Sequence, residues 1–112
     1  MNPVTIVIYT APNGRAPFLT WRDNLDTKAR AIIKTRLDRL LDLKHYGDCK
    51  RLKNCNNIWE LRVAYGPGYR IYFAKDNETI IIMLMGGDKG TQKSDIEKAK
   101  RYWKDYQEVK NG

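Results

Sequence analysis

Hydrophobic and polar positions alternate most regularly between Ile58 and Met85. Three strand-like runs lie there: Ile58 to Tyr65, Tyr69 to Lys75 and Thr79 to Met85. Gly66-Pro67-Gly68 and Asp76-Asn77-Glu78 supply turn chemistry between them. Successive strand side chains point to opposite faces. Trp59, Leu61, Val63 and Tyr65 therefore share one face of the first run, and Tyr69, Ile71 and Phe73 one face of the second. The opposite faces carry Glu60 and Arg62, then Arg70 and Tyr72. One face can seal a core. The other presents two guanidiniums, a carboxylate and a phenol to whatever lies in front of the sheet. The third run is almost wholly apolar, as suits a strand covered on both sides. Gly86 and Gly87 are expected to end it and to let the backbone approach a ligand or a neighbouring segment.

Upstream, Val4 to Thr10 is rich in β-branched residues and reads as a strand. Pro17 suits the first position of a short helix, Pro17 to Leu25, with Phe18, Trp21 and Leu25 facing inward. Ala29, Ile32, Ile33, Leu37, Leu40 and Leu41 recur at helical spacing. They predict a helix from Thr27 to Lys44, capped by Asp26 or Thr27, with His45 at its end and Gly47 as its stop. Asp48 to Asn57 reads as a loop anchored by Leu52, from which Lys50, Arg51 and Lys53 project at the sheet's entrance. Ser94 and Glu97 form a capping-box pattern that starts a last helix near Asp95. Ile96, Ala99, Tyr102 or Trp103, and Tyr106 give that helix an inward stripe, and Glu108 to Gly112 is expected to fray. The sum is one mixed α/β (α+β) domain over residues 1–112, in the order β-α-α-β-β-β-α, with an antiparallel run packed against helices.

Composition adds a partner class. Hydrophobic residues make up 42% and charged residues 30%, ordinary for a globular domain. The net charge of +8 attracts polyanions, nucleic acid first among them, with an acidic protein equally compatible. Lys28, Arg30, Lys34 and Arg36 either solvate a surface helix or track a nucleic-acid backbone. No run is long enough to span a membrane, neither end is a basic amphipathic helix with a bulky apolar face, and the N-terminus lacks the pattern of a signal peptide. The expected location is the cytoplasm, without membrane contact, where Cys49 and Cys55 fit as reduced thiols, a local disulfide between them being the alternative.

Several chemistries are set aside. His45 lacks the company of a catalytic triad. Gly86 to Gly90 lacks the spacing of a nucleotide-binding loop, and the acids do not cluster as metal ligands. No metal or cofactor is expected. Arginine, lysine, carboxylate and tyrosine remain, and these can cleave RNA through its own 2′-hydroxyl. Arginine pairs with phosphate oxygens through two parallel contacts, and preorganised charge supplies much of such an acceleration. Arg70, mid-strand on the polar face and close to Gly68, is the first candidate. The competing reading is a structural ion pair of Arg70 or Arg62 with Glu60 across neighbouring strands.

Glu60-Leu-Arg62, Tyr65-Gly-Pro-Gly-Tyr-Arg-Ile-Tyr-Phe73, Gly86-Gly-Asp-Lys-Gly-Thr-Gln-Lys-Ser-Asp-Ile96 and Lys98-Ala-Lys100 together resemble the RelE/ParE superfamily of toxin–antitoxin toxins. Within it they are similar to the HigB-like "addiction module killer protein" branch, which Phe18-Leu-Thr-Trp21 and Arg36-Leu-Asp-Arg-Leu40 also fit. The resemblance covers nearly the whole chain, in order. It implies a toxin that halts translation by cutting mRNA, often on the ribosome. It also implies a cognate helix-turn-helix antitoxin, with operator DNA bound only through the toxin–antitoxin complex. Carried over by position, Arg70 matches the family's phosphate-contacting arginine, Lys53 a basic residue before the sheet, and Lys89 a basic residue after the last strand. Glu60 stands where RelE has lysine, and 87–96 contains no tyrosine or histidine. Glu60 is then the candidate base, Lys89 assists the leaving group, and Tyr72 either transfers a proton, stacks on a base or packs under a helix. Lys50, Arg51, Lys53 and Arg62 are the candidate RNA contacts. The same resemblance leaves open a ParE-like gyrase inhibitor without catalysis, and a degenerate toxin that binds only antitoxin or RNA.

Overall fold

The computed structural model describes residues 4–41 and 48–112. Five strands form one sheet in the order β1-β5-β4-β3-β2. They are β1 (Thr5–Ile8), β2 (Cys49–Arg51), β3 (Ile58–Val63), β4 (Tyr69–Asn77) and β5 (Ile80–Asp88). The helices are α1 (Pro17–Asp23), α2 (Thr27–Leu40) and α3 (Gln92–Asn111), with a short 3-10 turn over Lys89–Thr91. β2 through β5 form a continuous antiparallel run, and β1 joins β5 in parallel. The mixed α+β architecture is the one the sequence predicts, with one strand more.

That strand, β2, was expected as loop. Its three residues, Cys-Lys-Arg, carry no hydrophobic alternation of their own. Only the ladder to β3 makes them a strand, and charged residues are what an edge position favours. The turn into β3 is bent by Asn54, Asn56 and Asn57, all in the left-handed region, which asparagine adopts more readily than most residues. Asn57 fixes the bend by donating from Nδ2 to the Lys75 carbonyl at 2.7 Å.

Helices cover both faces of the sheet. On one side Phe18, Ile33 and Leu40 pack on Leu61, Val63, Ile71, Phe73, Ile81 and Met83. On the other, Ala99 and Trp103 of α3 pack on Tyr72, Ala74, Ile82 and Leu84. Tyr9 donates to Asp105 at 2.7 Å and Trp103 to the Asn56 carbonyl at 2.8 Å, so α3 is tied at both edges. The polar face is therefore closed over much of its width.

Boundaries depart from expectation where tertiary contacts decide them. α1 stops at Asp23, two residues before Leu25. Leu41 caps α2 and is 45% exposed, so it is not a core residue. The helix stretch to Lys44, with His45 and Gly47, lies outside the described residues. β5 runs through Gly86 and Gly87 to Asp88. α3 starts at Gln92, and the capping box sits upstream, where Asp88 accepts from Gly90 and Thr91 and Thr91 bonds back. Ser94 instead donates to the Thr91 carbonyl. The expected fraying tail is the last turn of α3.

Asp26 caps α2 by accepting from the Ala29 amide at 2.8 Å. Asp26→Ala is expected to lower unfolding free energy by about 1 kcal/mol, read as a shifted urea midpoint with unchanged slope.

Candidate functional site

The ladder arranges the polar face in two rows. Lys50, Glu60, Tyr72 and Met85 are register partners in one, and Arg62, Arg70 and Gly87 in the next. Glu60 lies at the centre and is 0% exposed. A buried carboxylate is stable only when paired and hydrogen-bonded. Arg62 Nε donates to Glu60 Oε1 at 3.1 Å, and Gln92 Nε2 donates to Glu60 Oε2 at 2.7 Å. The ion pair foreseen for Glu60 is thus present with both arginines, with Arg62 along the same strand at 3.1 Å and with Arg70 across the β3–β4 ladder at 3.9 Å.

Arg70 stands differently. Its Nε is 3.9 Å from Glu60 Oε1, beyond hydrogen-bond reach, and this buried nitrogen has no hydrogen-bond partner among the described residues. The Arg70 side chain is 13% exposed and that of Arg62 36%. Both side chains lie on the α3-covered face, Arg62 the more open of the two and Arg70 mostly buried. The β3–β4 turn brings Lys89 near Arg70. Gly68, at φ +80°, accepts from the Lys89 amide at 2.9 Å. A Cβ at Gly68 would lie 3.6 Å from Lys89 Cβ and 3.9 Å from Arg70 Nη1, so the three residues meet at one point.

The remaining predicted residues divide. Tyr72 is wholly buried under α3, where burial and then the Glu60 charge push its ionisation above the ordinary phenol range. Lys50 is exposed on the Glu60 side of edge strand β2. Arg51 pairs with Trp59 and so points to the opposite face. Lys53 is exposed beyond the strand. The four expected RNA contacts do not form one patch: Arg62 and Lys50 share the Glu60 face, and Arg51 does not.

Two residues of the site escaped the sequence reading. Gln92 holds Glu60 from the start of α3. Asp95, 5% exposed, accepts from the Thr91 hydroxyl and packs on Gly87 beside the Arg70 row. Their only signal was their place in the Gly86-to-Ile96 stretch. Among the described residues, no group of three or more His, Cys, Asp and Glu side chains converges to hold a metal. No described helix is long and apolar enough to cross a membrane.

Residues 20–104, which include Arg62, Arg70, Lys89 and Gln92, match the family described as phage-derived protein Gp49-like (DUF891). The chain belongs to the Gp49-like family. It is also 40% identical over 84 residues to an uncharacterised protein of Haemophilus influenzae, an alignment spanning 74% of this chain and 82% of that protein. The Gp49-like family is associated with toxin–antitoxin modules, so an antitoxin is the partner class that membership supplies. This agrees at the coarse level with the toxin resemblance of the sequence.

Proposed function

We propose that this Gp49-like protein is the toxin of its module and acts as an endoribonuclease that cuts mRNA. The observation that carries the reading is Arg70: a mostly buried guanidinium beside Glu60 that makes no hydrogen bond through Nε to any described residue. Leaving a buried donor unpaired costs about 1–3 kcal/mol, and an anion that accepts from it would account for its arrangement. Arg70 and Arg62 would grip the scissile phosphate in the planar two-contact manner of guanidinium. The RNA 2′-hydroxyl gives its proton to solvent water and attacks that phosphate, the P–O5′ bond breaks as a 2′,3′-cyclic phosphate forms, and the 5′-oxygen takes a proton from the Lys89 ammonium. Lys89, exposed at the Gly68 edge, is placed to meet the leaving oxygen.

Glu60 entered as the candidate base. With 0% exposure and both oxygens engaged, it is better suited to anchor the arginines, and Tyr72 to pack beneath α3. On this reading the partners are mRNA, free or on the ribosome, and an antitoxin of helix-turn-helix type. A second reading, binding RNA without cutting it, is favoured by the same enclosure of Glu60 and Tyr72, because it withdraws both side chains as proton acceptors.

The test is induced expression in a bacterial host, with growth followed and mRNA ends mapped. Growth arrest with new ends inside coding regions is the expected result. Arrest with intact mRNA and DNA damage would favour gyrase inhibition. No arrest, with folded protein present, would favour the binding-only reading.

A further inference from the structure

Gln92 is the first residue of α3, yet its side chain reaches back to the sheet. Its amide nitrogen takes Glu60 Oε2 at 2.7 Å, across 32 positions of sequence. The consequence concerns the other oxygen. With Oε2 held, the carboxylate plane is fixed, and Oε1 is directed at Arg62 Nε at 3.1 Å and towards Arg70 Nε at 3.9 Å. A carboxylate with one free oxygen could rotate and engage either guanidinium more fully, drawing it inward. One held by Gln92 keeps Arg62 bonded while Arg70 stays unbonded through Nε.

We propose that Gln92 is a positioning residue for the Arg62–Arg70 pair, acting through Glu60. This rests on the reading of that pair as the phosphate-binding groups. Gln92 itself touches no reacting atom. Its amide donates without adding charge, which matters because a second carboxylate, Asp95, is already buried nearby on α3. The charged or titratable groups around Glu60 are Lys50 on β2, Arg62 on β3, Arg70 and Tyr72 on β4, and Asp95 on α3.

The test uses the full chain and two readouts. The first is the solvent exchange rate of the Arg62 Nε–H, followed by NMR. The second is affinity for a 2′-O-methyl RNA strand, which cannot be cut. Gln92→Ala is expected to speed exchange and weaken binding roughly tenfold or more, the size of one hydrogen bond to a charged group. Gln92→Glu keeps the length of the side chain but replaces the donor by a carboxylate, which only accepts. It pushes against Glu60 instead of holding it, so Arg62 exchange should speed up and RNA affinity should fall at least as far as in Gln92→Ala. Unchanged Arg62 exchange in a folded Gln92→Ala protein overturns the proposal. So does a folded Gln92→Glu protein whose Arg62 exchange matches the parent's, and this second variant decides the matter if Gln92→Ala fails to fold. If the parent chain does not bind the RNA strand, the phosphate-binding reading fails by itself, and the exchange readout still decides what Gln92 does to Arg62.

Discussion

Gly86→Ala is expected to unfold at a much lower denaturant concentration than the parent chain. A Cβ built on Gly86 would penetrate the Trp21 ring, whose atoms rest directly on the β5 backbone. Trp21 has little room to yield. It meets Phe18 with ring centroids 6.0 Å apart and Tyr69 edge-on at 5.8 Å. Overpacking of this kind costs about 1–3 kcal/mol, and the upper part of that range is expected because the obstacle is a rigid ring. Against a typical total of about 5–15 kcal/mol, the loss is large. Gly87→Ala places its Cβ on the opposite face, inside the Asp95 carboxylate. There it should break the Thr91–Asp95 bond and loosen the start of α3, and with it the Gln92 contact to Glu60. The two variants thus differ in kind. Urea unfolding should show a large loss for Gly86→Ala. RNA affinity should fall for Gly87→Ala even where its fold survives. An unchanged midpoint for Gly86→Ala would mean that α1 is not seated on β5 as described.

These glycines also show what the sequence could and could not convey. Alternation located β3 and β4, and the 3.6-residue period located α2, because those signals are local and the buried faces are long. The paired glycines read locally as a strand ending. In the fold they are strand interior, thinned so that an indole on one face and a carboxylate on the other can touch the backbone. Such a reason exists only once α1 and α3 are in place. β2 was hidden for a related cause: three polar residues become a strand only through the register with Leu61, Glu60 and Trp59. The polar face was legible as a row of Glu60, Arg62, Arg70 and Tyr72. Helix cover over Tyr72 was one of its readings; enclosure of Glu60 beside it was not, since the stripe on α3 says that it packs but not on which strands. Hence Arg70 could be singled out from sequence, whereas the engagement of Glu60 by Gln92 could not.

Arg70→Ala is expected to abolish growth arrest and to lower RNA cleavage about 10²- to 10³-fold, the scale on which a single preorganised charge-stabilising donor acts. The fold should persist. Glu60 keeps Arg62 and Gln92 as its hydrogen-bond partners, so no carboxylate is stranded by the change. Arg70→Lys retains the positive charge and loses the planar fork, which separates two contributions. A purely electrostatic role would leave Arg70→Lys nearly active, while a two-contact grip on phosphate predicts that it falls most of the way to Arg70→Ala. Glu60→Gln supplies the opposing arm. If Glu60 were the base, this variant would keep its RNA affinity and stability and lose cleavage alone. As an anchor, its loss of charge should weaken RNA binding and lower stability together, because Arg62 and Arg70 are left without their counter-charge. Measuring cleavage, affinity and urea midpoint on the three variants therefore assigns each side chain separately. Full cleavage by a folded Arg70→Ala protein would move the phosphate site off this face of the sheet.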